Sequence, residues 1–81
     1  MDEQRMQNLI LFLEEVIDDQ SAPRNVKVQI TEVINILKSD LDDSLKVHKV
    51  MQIFDELQDD TNIDQHTRTQ LWSAVTVLES L

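Results

Sequence analysis

Two aspartate pairs, Asp18-Asp19 and Asp59-Asp60, follow the first apolar stripe in each half of the chain and are its most reactive-looking groups. Paired carboxylates are hard oxygen donors, and two pairs held together could bind Ca²⁺ or Mg²⁺, which need several converging oxygens. The same residues have a plainer use. A carboxylate at a helix C-terminus faces the negative end of the helix dipole, which costs about 0.3 to 1 kcal/mol. That cost is offset if Asp19 and Asp60 turn toward the returning helix and accept from its free amides. Capping is the expected role, because the chain has no glycine and a compact calcium loop uses one for its sharp turn.

The other candidates give no reactive constellation. Asp40-Leu41-Asp42-Asp43 alternates carboxylates like the start of an EF-hand loop, yet lacks the glycine and the closing bidentate glutamate, and so reads as a solvated linker. His48 and His66 are far apart in sequence and fit no metal-ligand spacing. Ser39, Ser44 and Ser73 have no histidine at a recognisable motif distance, and a serine nucleophile needs a positioned base. The absence of cysteine removes thiol nucleophiles and Cys-based zinc sites, and the absence of glycine removes P-loops and dinucleotide fingerprints. Neither an enzyme nor a cofactor is expected.

Apolar residues outside the helical stripes are the other candidates. At about 100° per residue, Leu11 sits nearly opposite Leu13, and Val28 nearly opposite Ile30. With Leu45 they are either ordinary exposed apolar residues or part of a self-association or partner surface. Trp72, the one tryptophan, lies about 100° from its own stripe centre. It is either an edge-of-core residue that caps the open end of the molecule or an interface anchor, a position where Trp is enriched.

These residues are carried by a pattern that occurs twice. Aligning Glu15 with Glu56 sets Asp18-Asp19 on Asp59-Asp60, Gln29 on Gln70 and Leu37 on Leu78, with Leu9, Leu13, Val16 and Ile30 on Val50, Phe54, Leu57 and Leu71. Two helices in about 40 residues is the layout of a helical-hairpin repeat. The first repeat is placed at about 2–38, a linker at about 39–44 and the second repeat at about 45–81, all within one domain, 1–81.

Within repeat one, Met6, Leu9, Ile10, Leu13, Val16 and Ile17 mark a first helix over about 2–19. Pro23 opens a second helix, since a helix's first turn has no use for the missing N–H, and Val26, Ile30, Val33, Ile34 and Leu37 face the core. Asp43 or Ser44 is expected to cap the third helix, whose stripe is Val47, Val50, Ile53, Phe54 and Leu57. The fourth carries Leu71, Ala74, Val75 and Leu78. Ile36 and Val77, equivalent in the two halves, suit a second packing face. The fold expected is all-α: four antiparallel helices as two stacked helical hairpins, either a HEAT-like pair or a closed four-helix bundle.

The charge balance bounds the partners. A net charge of −9 repels a phosphate backbone, and the seven basic residues form no stripe that could neutralise one, so nucleic acid is not an expected partner. The longest apolar run, Leu9 to Leu13, falls far short of the roughly 20 residues that span a bilayer. The acidic start Met1-Asp2-Glu3-Gln4 is unlike a secretory leader. The expectation is a cytoplasmic protein without a membrane partner.

The run from Asp19 through Pro23-Arg24-Asn25-Val26-Lys27 resembles the turn of HEAT-type repeats. Together with Phe54-Asp55-Glu56-Leu57 and His66-Thr67-Arg68-Thr69-Gln70-Leu71-Trp72, it resembles an uncharacterised family of short, acidic, archaeal helical proteins of unknown function. Asp64 departs from the proline expected in that family. The resemblance implies a cytoplasmic helical protein and supplies no catalytic residue. The reading that follows is a non-catalytic, protein-binding or self-associating module, with Leu11, Val28 and Trp72 as anchors and Asp18, Asp19, Pro23, Asp59 and Asp60 as structural turn residues. The alternative is a regulator that binds a divalent metal or small ligand through the turn carboxylates.

Overall fold

The computed structural model of the chain describes residues 3–80. Four helices form: α1 (Glu3–Asp18), α2 (Arg24–Lys38), α3 (Asp43–Gln58) and α4 (Gln65–Glu79). Among the described residues no strand forms. Each helix packs on two neighbours: α1 on α2, α2 on α3, α3 on α4, and α4 back on α1. This is a closed four-helix bundle. A HEAT-like pair would instead stack α1 on α3 and α2 on α4, and those diagonal pairs do not pack here.

Closure follows from the number of helices. Two hairpins alone cannot bury both faces of an open stack, whereas a ring turns every apolar stripe inward. The stripes of α2 and α4 are buried as the period requires, and so is that of α1 apart from Ile10 and Ile17; Leu13, Val16, Val26, Ile30, Val33, Val50, Phe54, Leu71 and Ala74 are fully enclosed. Ile10, Ile17, Val47 and Ile53 are half-buried at the edges of this core, and so is Ile36. Val77, expected to match Ile36, is exposed.

The burial pattern repeats with the sequence. Leu9, Leu13 and Val16 match Val50, Phe54 and Leu57, and Ala22, Val26 and Ile30 match Ile63, Thr67 and Leu71, each member buried. Repeat one therefore packs against repeat two as its near-equivalent. Thr67 is the one polar member of the set, 0% exposed where the first half has Val26.

Two helix starts differ from expectation. Pro23 is the N-cap of α2, extended at ψ 152°, and the helix begins at Arg24. The linker is shorter than expected, because α3 begins at Asp43. Its N-cap is Asp42, not Asp43 or Ser44, and the Asp42 side chain makes no capping hydrogen bond. Asp42 is the residue that leaves the helical region, at ψ 144°, so Asp43 is already the first helical residue, where its charge suits the positive end of the dipole.

Candidate functional site

The antiparallel ring brings the Asp19–Pro23 and Asp59–Asp64 turns to the same end of the bundle. Each first forms its own aspartate turn. Asp19 Oδ1 accepts from the Ser21 amide at 2.9 Å and from its hydroxyl at 2.7 Å, and Asp60 Oδ1 accepts from the Asn62 amide at 2.8 Å. This corrects the expected cap: the two carboxylates close their own turns and do not reach the amides of the returning helices. A short side chain that bonds the backbone two residues ahead tightens a turn without glycine.

The remaining oxygens reach across. Asn25 Nδ2 donates to Asp60 Oδ2 at 2.6 Å, and His66 Nε2 lies 3.5 Å from Asp19 Oδ2. Each turn carboxylate thus holds the second residue of the other repeat's returning helix. Asp18 and Asp59 stay exposed and join neither contact.

Arg68 completes this end. Its guanidinium donates to the Gln58 carbonyl at 2.6 Å and to the Asp60 carbonyl at 2.8 Å, occupying acceptors left over where α3 ends. Asp64 is the true N-cap of α4, accepting from the Thr67 amide at 2.9 Å. Where the family resemblance led us to expect proline, an aspartate does the capping.

Two carboxylates are shifted by these contacts. The hydroxyl and then the amide of Ser21, with a smaller contribution from His66, lower the Asp19 pKa below the ordinary 3.8. Asp64 is likewise lowered, first by the nearby Thr67 hydroxyl and then by its amide. Of the two Thr67 groups only the amide meets hydrogen-bond geometry with Asp64, and Thr67 Oγ1 has no partner of that geometry. Among the described residues no three His, Cys, Asp or Glu side chains are placed together to hold a metal ion.

The second region is the outer side of α4. Trp72 is 63% exposed and is therefore not an edge-of-core cap. It borders a shallow groove of about 260 Å³ on the α3 flank, with Gln58, Arg68 and Thr69. On the opposite flank, Asn8, Leu9 and Phe12 of α1 meet Ser73 and Val77 of α4 around an apolar recess of similar volume, about 260 Å³. Leu11 and Val28 are as exposed as Trp72, at 60% and 61%. They stand on α1 and α2, opposite the stripes of those helices, and neither lines the Trp72 groove.

No local motif ties Asn25, Asp64, His66 or Arg68 to this end of the bundle, although Asn25, His66 and Arg68 fall in the runs that carry the family resemblance. The available clue was the repeat register, which sets Asn25 on His66 as it sets Asp19 on Asp60. Among the described residues no helix is long and apolar enough to cross a membrane.

Comparison with known proteins agrees with this geometry. A UPF0147 protein of Sulfurisphaera tokodaii is 30% identical over 80 residues, covering 98% of this chain and 90% of the relative. UPF0147 protein MJ1419 of Methanocaldococcus jannaschii is 33% identical over 78 residues, covering 95% and 84%. The crystal structure of a UPF0147 protein from Thermoplasma acidophilum superposes with a TM-score of 0.91 at 26% identity, over 99% of this chain and 95% of that one. That of MMP1188, a protein of unknown function, gives 0.90 at 28% identity, over 100% and 93%. The model of the uncharacterised protein family UPF0147 matches residues 1–81, and the chain belongs to that family, as its motifs had led us to expect.

Proposed function

We propose that this chain is a non-catalytic protein-binding module that docks through the outer side of α4. The observation that supports this reading is Trp72, solvent-exposed at the midpoint of α4, a helix whose own outer surface is almost free of charge. Within α4 only Arg68 and Glu79 are charged, and the Arg68 guanidinium is turned onto the Gln58 and Asp60 carbonyls at the end of α3. Gln65, Thr69, Ser73, Thr76 and Val77 make up the exposed surface around the indole. In a chain of net charge −9 such a surface is unusual. Interface cores are depleted of charge and enriched in aromatic anchors, which matches this composition. Leu11 and Val28 are not needed for docking on this side.

A photo-crosslinking residue at Thr76, one turn from the indole, tests the reading against a control at Asp55 on the outside of α3. In cells of the source organism, discrete protein adducts from position 76 and none from 55 are expected. No adduct at 76, or equal labelling from both positions, would overturn it.

A further inference from the structure

We infer that the partner on the α4 side is a second copy of this chain, with the Trp72 of each copy seated in the α1/α4 recess of the other. This rests on the reading of α4 as a docking side. The knob and the hole lie on the two flanks of one helix: Trp72 toward α3, and the recess lined by Asn8, Phe12, Ser73 and Val77 toward α1. A twofold axis running along α4 exchanges those flanks. Trp72 and Ser73 are adjacent residues, about 1.5 Å apart along the helix, so the same operation that brings two α4 helices together lays each indole over the opposite recess. A twofold contact must use one self-complementary patch, and here a protruding aromatic and an apolar hollow of about 260 Å³ share one.

Charge selects the same side. Two copies of a −9 chain repel each other over most of their surfaces, whereas the α4 surface from Gln65 to Val77 carries no exposed Asp, Glu or Lys. One side of the bundle measures 32 by 20 Å, comparable to the roughly 800 Å² per partner of a standard interface. A contact centred on α4 buries less than that, so the dimer is a concentration-dependent one.

Sedimentation from micromolar to millimolar concentration, read together with Trp72 emission, tests this. The expected result is a rise from one chain mass to two, with the emission moving to the blue in step. Trp72→Ala should weaken association about 30-fold or more, the scale of a truncated hot spot. Ser73→Glu, an exposed change at the rim of the recess, should do the same. Leu45→Asp on α3 should change nothing, and circular dichroism should show all three variants folded. A monomer at millimolar concentration, or a dimer indifferent to both α4 variants, would overturn the inference. If that monomer still gives position-76 adducts with other proteins in cells, docking on α4 survives without the dimer. If it gives none, both fail.

Discussion

His66 stands 3.5 Å from the Asp19 carboxylate, and in the repeat register this contact is the counterpart of the 2.6 Å hydrogen bond from Asn25 to Asp60. The two contacts cross the boundary between the repeats in opposite directions. Each hairpin supplies the carboxylate that holds the start of the other's second helix, so the turn end is fastened reciprocally. Asn25→Ala should lower the unfolding free energy by about 0.5 to 1 kcal/mol, the usual net value of one hydrogen bond. His66→Asn, which copies the first half's residue, should be tolerated. Urea denaturation of both variants provides the measurement.

Acid should loosen the same end. Asp19 and Asp64 have folded pKa values below the ordinary 3.8, through Ser21 and Thr67 respectively. A carboxyl lowered by folding stabilises the protein when ionised. That contribution is complete above the unfolded value, near pH 4, and is lost as the pH falls through the lowered folded values. Melting temperature followed from about pH 5 to pH 2 should therefore fall, and Ser21→Ala should make the fall shallower by removing the main cause of the Asp19 shift.

The helices were legible because core burial follows the 3.6-residue period, and Leu9, Leu13, Ile30 and Leu71 lie where that period puts them. The turn end was legible only in part. Asp19 and Asp60 were identifiable as turn residues, but their cross-contacts join positions as remote as Asn25 and Asp60, and no local pattern encodes ring closure. Capping was misassigned for a related reason. Which aspartate caps depends on which residue turns extended, and at α3 that is Asp42. For Trp72, angle alone left two readings open, and its exposure depended on how α3 and α4 meet.

Thr67 is a buried defect with a ready repair. Its hydroxyl is enclosed without a hydrogen-bond partner, and an unsatisfied buried polar group costs about 1 to 3 kcal/mol. Asp64 keeps its hydrogen bond from the backbone amide of residue 67 when valine replaces threonine. Val26 already occupies the equivalent site with the same β-branched shape. Thr67→Val should raise stability by about 1 kcal/mol, seen as a higher urea midpoint with an unchanged slope.

Arg68 should be hard to replace. It bonds two carbonyls at once, Gln58 at 2.6 Å and Asp60 at 2.8 Å, a task that suits the planar fork of guanidinium. Arg68→Ala leaves both acceptors without it and should cost about 1.5 kcal/mol, the scale of hydrogen bonds to a charged group. Arg68→Lys should recover less than half of that in thermal denaturation, since one ammonium cannot span both carbonyls in the same geometry. Full recovery by lysine would show that charge near the end of α3, and not the fork, is what matters.

The two halves also differ in how they fill the centre of the core. Phe54 and Leu13 occupy equivalent, fully buried positions, so the second repeat contributes more volume there than the first. A domain of this size has only about 3 to 5 kcal/mol of core stability in reserve. Phe54→Ala removes about 3 to 5 kcal/mol by itself and should leave the chain largely unfolded at room temperature. Phe54→Leu, which installs the first repeat's own residue, should cost about 1 kcal/mol and keep the fold. The contrast tests the near-equivalence of the repeats: if Phe54→Leu unfolds the chain as completely as Phe54→Ala, the halves are not interchangeable at their centre, and the ring depends on the aromatic ring of its second hairpin.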